Sequence, residues 1–476
     1  MVFCLTTRSF HQTATIALRL ERGDKIYEDA NLSSSAAGSA SPVESDSVPD
    51  FPNHPLGGAP EPQVIGHNLK CFRSADQKYT LGAKSSSFSR TIVKDAMDHR
   101  TLLNNVGDLS AEFARRRSER QLRRSLDAGD FDKLARAGLP LVGVPIDEGG
   151  LWQNVETSTR PICEVLRTLA QGDSSIALVS AMHPAVLSYW LTVRNEAAED
   201  DAWQSQCRQI FQSVREGSWW GTMTSEPGTG GDVGRTRTIA RPTGSPHQYL
   251  LSGQKHFGSG SGMMSSMVTT AVTEGDDQPD WFFLDLRDVP WDGSRGVKLV
   301  FEWDGHGMTA TQSHAMVFER FPATRIAWPG HLPTIVARTG SFIGCLFTSV
   351  IVGILDVALE TAYLQIDSGD QRAFEQVEWA RAKTEGWLVQ QAFEGMQRAV
   401  EQQDDPRLDV LHGKTAIAEL SESILTRLCR VIGGGTYARR SPFGFWFEDV
   451  RALGFLRPPW GLAQQSLIDG FSSAAE

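Results

Sequence analysis

The chain has 476 residues, 40% hydrophobic and 22% charged, with a formal net charge of −11 at pH 7. Those values describe a soluble globular protein of two or three domains, and the acidic balance argues against a general nucleic-acid binder, whose phosphate contacts need a basic surface. The six cysteines (4, 71, 163, 207, 345 and 429) follow no paired or C-x-x-C spacing, and neither H-E-x-x-H nor a P-loop occurs, so no metal site and no disulfide scaffold is expected.

Residues 1–90 read as a poorly ordered tail, because "SSSAAGSASPVESDSVPDFPNHPLGGAPEP" holds too few large apolar side chains to offset chain entropy. A reducing, cytoplasmic setting is the simpler expectation; Arg8 and Arg19 in an acid-free opening leave mitochondrial import as a weaker alternative. Residues 91–216 read as a helical domain: Phe131, Leu134 and Leu139, then Ile162, Val165, Leu166 and Leu169, recur on one helix face. "GLPLVGVPIDEGG" is expected to be a loop between helices, and the basic run Arg115–Arg124 a solvated helix face rather than an anion patch.

Residues 217–330 change to short β-rich runs such as "SMVTTAV", "DWFFLDL" and "HAMVFERF", too closely spaced for crossover helices, which predicts an antiparallel sheet or barrel. Residues 331–476 return to helix. The uncharged run Thr339–Leu355 falls short of the ~20 residues of a membrane span and reads as a buried core helix. Ile417, Leu420, Ile424, Leu428 and Val431 mark a second helix, ended by Gly433–Gly435. The predicted fold class is α+β multidomain, in the order helical, β, helical, the last segment resembling a four-helix bundle.

"SEPGTGGD" (Ser225–Asp232), "LSGQKHFGSGSG" (Leu251–Gly262), "QGDSSIALVSAMH", "GHGMTATQSH" and "VIGGGTYARRSPFGFWFEDVR" fall in an order that resembles the acyl-CoA dehydrogenase superfamily over most of residues 91–476. The resemblance implies a flavin, FAD first, with FMN or borrowed reduced flavin as alternatives. Thr224 and Ser225 would face its pyrimidine edge, Phe257 would pack on its ring, and Ser259 would approach N5. Gly228, Gly230 and Gly231 would let the backbone come close. Gly433, Gly434 and Gly435 would meet the cofactor of a neighbouring subunit, implying a homodimer or homotetramer.

The chain also departs from that pattern. Arg457 occupies the place of the usual C-terminal glutamate base, the alternative helical place falls near Ile343, and Gly231 replaces a serine that helps hold the CoA-bearing substrate. A sister branch, the two-component flavin monooxygenases, needs no such base. Its D-S-S-x-A…His pattern resembles Asp173 to His183, and its S-G-x-x-x-F-S-S-G resembles "SGQKHFGSG". Three readings stand open: an acyl-CoA dehydrogenase-like enzyme acting on an acyl thioester, with electron-transfer flavoprotein as partner; a monooxygenase acting on a small molecule, with a flavin reductase; and a retired flavin-binding protein. His183, Ser259 and Arg457 are the candidate catalytic residues, and His256 is expected to point away from the ring because it alternates with Phe257 along a strand.

Overall fold

The computed structural model describes residues 97–194, 196–197, 200–366 and 371–473; the predicted tail, with Arg8, Arg19, Cys4 and Cys71, lies outside these. Helices come first: α1 (His99–Arg115), α2 (Arg117–Arg120), α3 (Ala128–Ala137), α4 (Val155–Gly172), α5 (Ser174–Leu191) and α6 (Asp201–Arg215). Side-chain caps set several of their starts, as where Asn154 Oδ1 accepts from the Thr157 amide and Asp173 Oδ1 from the Ile176 amide. The segment expected to be a loop between α3 and α4 contains two 3₁₀ turns, Leu139–Gly143 and Ile146–Glu148, closed by a bridge between Pro145 and Trp152. Helix α5 is buried almost throughout and is the central rod of the molecule.

Arg115–Arg124 corrects the expectation of a solvated face. Arg120 is 4% exposed and donates from Nη2 to Asp130 and from Nε to Asp173, both at 2.8 Å. It staples α2 to α3 and to the cap of α5, whereas Arg116 remains on the surface with Glu119.

Seven strands follow: β1 (Trp220–Thr222), β2 (Ile239–Pro242), β3 (Gln248–Gly258), β4 (Ser266–Thr273), β5 (Pro279–Asp285), β6 (Val297–Phe301) and β7 (His314–Arg325). The order β1-β4-β2-β3-β7-β5 is closed by pairing of β5 with β4, giving a small barrel-like sheet with β6 added on β7. It is not wholly antiparallel as expected, since β1 and β2 both run parallel to β4. The two are halves of one interrupted strand. β1 pairs with Ser266–Val268 and β2 with Val272 and Thr273, so only Thr269–Ala271 separate their partners, and everything between Met223 and Thr238 is expelled as a loop. Its ends are fixed by hydrogen bonds of Met223 N to Val268 O (2.9 Å) and Val272 N to Thr238 O (2.8 Å). The glycine-rich stretch is that expelled loop.

The chain ends in α7 (Leu332–Gln365), α8 (Ala373–Gln402), α9 (Arg407–Ile432), α10 (Phe443–Val450) and α11 (Trp460–Ser473). Three long helices pack together, with the shorter α11 against α9 as the fourth. Arg160 of α4 reaches Glu394 and Glu401 of α8, and Arg167 reaches Asp356 of α7, tying the first helical layer to the last. Helix α7 is long and apolar enough to cross a bilayer, but 78% of its apolar window is buried inside the molecule. It packs against α4 and α5 as a core helix. Gly433, at φ 85°, ends α9 as expected.

Candidate functional site

One cavity of about 650 Å³ opens where the expelled loop, the end of β3, α5, α7 and the segment after α10 meet. That volume falls within the ~300–1,000 Å³ of small-molecule and cofactor pockets. Thr224, Ser225, Gly228, Gly230, Gly231, Phe257, Ser259 and Arg457 all border it. Residues predicted from three separate stretches of sequence are thus brought to one place.

The loop is pinned from below. Glu226 Oε1 accepts from Lys255 Nζ (2.6 Å) and from the Thr236 and Thr238 hydroxyls, and Oε2 accepts from the Arg237 amide (2.7 Å). Lys255 is fully buried, and its ammonium also donates to Thr270 O at 2.6 Å. Burial opposes ionisation of Glu226, but the Lys255 charge and these donors outweigh it and hold the carboxyl at about 2. Above the pair the backbone is bare. Gly228, Gly230 and Gly231 adopt φ of 77°, 64° and 85°, the left-handed region that side chains resist. Their amides donate to no protein acceptor among the described residues.

Gly231 has a further reason to lack a side chain: a Cβ there would lie 2.9 Å from Pro459 Cγ. The serine of the resembling family cannot fit beside this proline without movement. Gly231→Ser is expected to cost about 1–2 kcal/mol in left-handed strain alone, read as a lower urea midpoint. Adding Pro459→Ala should recover only the steric part, and a Gly231→Ser protein as stable as the parent would refute both arguments.

Phe257 is 59% exposed and presents its ring to the cavity, edge-on to Trp303 at 6.2 Å. His256 borders the cavity too, with its Nε2 2.7 Å from Gln254 Nε2, two residues back along β3. A bulge lies between Lys255 and Gly258, where Phe257 has φ 56°. Ser259 Oγ lies 2.9 Å from Ser313 Oγ, which lies 2.8 Å from Thr311 Oγ1, a chain of three buried hydroxyls along one wall.

His183 is placed elsewhere. Its Nδ1 accepts from the Trp220 amide at 2.9 Å and its Nε2 donates to Pro140 O at 3.1 Å, while burial pushes its pKa down to about 4. It is a neutral core histidine tying β1 to the Leu139–Gly143 turn, not a group over the cavity. Leu178 and Met182, one turn apart on α5, face the cavity instead; His183, the next residue, is rotated off that face by about 100°. Gly433, Gly434 and Gly435 lie on the surface beyond α9, outside this cavity.

Arg457 borders the cavity beside the glycine loop, and its Nη2 donates to Thr224 Oγ1. No carboxylate lies within ion-pair distance of its guanidinium among the described residues, and burial lowers its pKa. The two carboxylates that do border the cavity are engaged, Glu226 by Lys255 and Glu448 by Arg451 at 2.7 Å. Asp449, just outside it, accepts from Ser174 Oγ and from the Met308 amide, both at 2.5 Å, so it fixes the loop that carries Met308 and Thr311 against α5. Desolvation raises its pKa to about 6. Among the described residues no group of three His, Cys, Asp or Glu side chains is placed to hold a metal ion.

Sequence reasoning missed Trp303, His306, Phe347 and Lys414. Trp303 follows β6, His306 lies in "GHGMTATQSH", which carries only the family resemblance, and Phe347 lies in a run read as uniform core. Lys414 does not border this cavity; its ammonium donates to Leu456 O (3.1 Å) and Pro458 O (2.8 Å), on either side of Arg457.

No family model matches the chain. Two curated relatives do: the acyl-CoA dehydrogenase-type protein YdbM of Bacillus subtilis, 23% identical over 382 residues (76% of this chain, 93% of the relative), and L-evernosamine nitrososynthase of a Micromonospora strain, 23% identical over 389 residues (75% and 86%). Among solved structures, KijD3 in complex with FMN and a dTDP-linked amino sugar superposes with a TM-score of 0.66 at 22% identity, covering 79% of this chain and 94% of that one. Dibenzothiophene monooxygenase TdsC of Paenibacillus gives 0.63 at 19% (78% and 96%). Butyryl-CoA dehydrogenase of Megasphaera elsdenii gives 0.67 at 17% (78% and 97%). The chain has the acyl-CoA dehydrogenase fold.

Proposed function

We propose that this chain, on its acyl-CoA dehydrogenase fold, is a flavin-dependent oxidoreductase that uses reduced flavin and dioxygen to oxygenate a small molecule. The observation that carries the choice between branches is Arg457. Removing an α-proton from an acyl thioester needs a carboxylate at the reacting carbon. A guanidinium stays protonated at working pH and has no lone pair to offer. Neither cavity carboxylate substitutes for it: Glu226 is held by Lys255 and four further groups with Pro227 following, and Glu448 is paired to Arg451. The nitrososynthase and monooxygenase relatives support the same reading.

The residues present fit a flavin. The unsatisfied amides of Gly228, Gly230 and Gly231 suit phosphate or ring oxygens, and any side chain at Gly231 would meet Pro459. Thr224 and Ser225 offer hydroxyls at the same wall, and Phe257 offers a ring to pack on a flat partner. When bound, a reduced flavin supplies two electrons to dioxygen, one oxygen atom passing to the substrate and the other leaving as water. The chain's part is to bind, orient and exclude water. Leu178, Met182 and Phe347 give the cavity an apolar wall. The Ser259–Ser313–Thr311 chain can hold a proton along the cavity wall and is anchored at one end, where Thr311 Oγ1 donates to Met308 O at 2.9 Å.

The test uses the purified full chain. Anaerobic addition of butyryl-CoA to protein loaded with FAD or FMN should leave the oxidised-flavin absorbance unchanged, and photoreduced FMN should bind more tightly than oxidised FMN in anaerobic equilibrium dialysis. Bleaching by the acyl-CoA would assign the protein to the dehydrogenase branch. Failure to bind flavin in either state would remove the reading altogether.

A further inference from the structure

We propose that Arg457 is the seat for an anionic group of the substrate, a carboxylate or ionised phenol on a small aryl or alkyl body, and that Lys414 positions it. The proposal deepens the reading above by naming a substrate class, and the anion site itself stands on the electrostatics of this cavity.

A guanidinium carries five N–H donors. Arg457 uses one of them, toward Thr224, and has no ion-pair partner among the described residues. Asp232 favours its charge from beyond ion-pair distance. The other cavity charges cancel locally, Glu226 against Lys255 and Glu448 against Arg451. One positive charge therefore remains uncompensated at the cavity wall, beside Thr224. A charge held out of bulk water is costly unless paired, and the planar fork of arginine matches a carboxylate through two parallel bonds. The remaining wall is apolar or aromatic, from Trp303, Phe347, Phe455, Leu178 and Met182. An anionic head on a small hydrophobic body satisfies both.

Lys414 makes the seat rigid. It is 3% exposed, and its ammonium reaches across from α9 to the carbonyls of Leu456 and Pro458, which flank Arg457 in the chain. Through these two bonds it fixes the backbone that carries the guanidinium, an attraction to carbonyl dipoles that opposes its repulsion by the neighbouring cation. Burial draws the Lys414 pKa down to about 8, consistent with an ammonium held by carbonyls alone.

The same guanidinium chemistry would also suit the anionic pyrimidine edge of a reduced flavin, and the experiment separates the two sources. Binding of benzoate and of its neutral analogue benzamide is measured by calorimetry on the full chain and on Arg457→Met, Arg457→Lys and Lys414→Met, with FMN affinity in both redox states recorded in parallel and folding checked by circular dichroism. Benzoate should bind the parent about ten-fold or more tighter than benzamide. Arg457→Met should abolish that preference and Arg457→Lys keep part of it. Lys414→Met should weaken benzoate while benzamide and FMN affinities hold, a split that general loosening of the fold would not produce. Equal binding of benzoate and benzamide by the parent would overturn the proposal, as would a preference that survives Arg457→Met. Loss of reduced-FMN affinity alone in Arg457→Met would also overturn it, by giving the guanidinium to the cofactor. Selective benzoate binding by a protein that holds no flavin would keep the anion seat and discard the flavin reading.

Discussion

Lys255→Met is expected to lower stability by about 3–5 kcal/mol and to abolish flavin binding, because it leaves the Glu226 carboxylate buried and unpaired. Glu226 joins the expelled loop to the sheet through five separate contacts, to Lys255, the Thr236 and Thr238 hydroxyls, and the Arg237 and Thr238 amides. With Lys255 gone, the carboxylate gains solvation only if residues 224–237 peel away from β4, and they carry Ser225 and the three glycines of the cavity wall. Urea denaturation and FMN binding on the same preparation test the coupling. Glu226→Gln combined with Lys255→Met should recover much of the stability, since it removes both charges. A double variant no better than the single would show that packing, not the stranded charge, sets the loss. The pair also gives the loop an acid limit. Glu226 has a pKa depressed in the folded state, so its contribution is present above the ordinary 4.5 and is lost as pH falls toward about 2.

That network shows where the sequence was legible and where it was not. The glycine loop and the helix ended at Gly433 could be read because each depends on local backbone chemistry, left-handed φ and a helix stop, whereas Phe257 was singled out by the family resemblance. The order of helical and β-rich segments was legible for the same reason, from periodicity. What escaped depends on pairing across distance. Nothing near Glu226 announces that its partner is the lysine of "SGQKHF", and nothing in α9 marks Lys414 as the residue behind Arg457. His183 was legible as a spacing and not as a direction. On a helix buried on all sides, periodicity cannot say which neighbour a side chain faces, and a rotation of ~100° separates Met182 in the cavity from His183 in the core.

The basic run Arg115–Arg124 is the sharpest instance, and it yields the second large effect. Arg120→Met should destabilise the protein by about 3–5 kcal/mol, whereas Arg116→Ala, a few residues away in the same run, should change it by no more than ~0.5 kcal/mol. Composition cannot distinguish the two arginines; their partners do. Arg116 is half exposed and pairs within its own turn with an exposed Glu119. Arg120 lies over the Phe113 ring at 3.8 Å with its two edges on Asp130 and Asp173. Without it Asp130 keeps only Arg123, and Asp173 keeps only its cap on the Ile176 amide. The damage should travel to the cavity, because the first turn of α5 carries Ser174, which holds Asp449, which in turn holds the Met308 amide. Arg120→Lys should fall between, since one ammonium cannot span both carboxylates in the geometry of a planar fork. Urea midpoints for the three variants, with benzoate and FMN affinities measured below the transition, give the comparison. Equal small losses for Arg116→Ala and Arg120→Met would mean that the buried ion pairs contribute no more than a surface pair, and that the entry of α5 is held by packing alone.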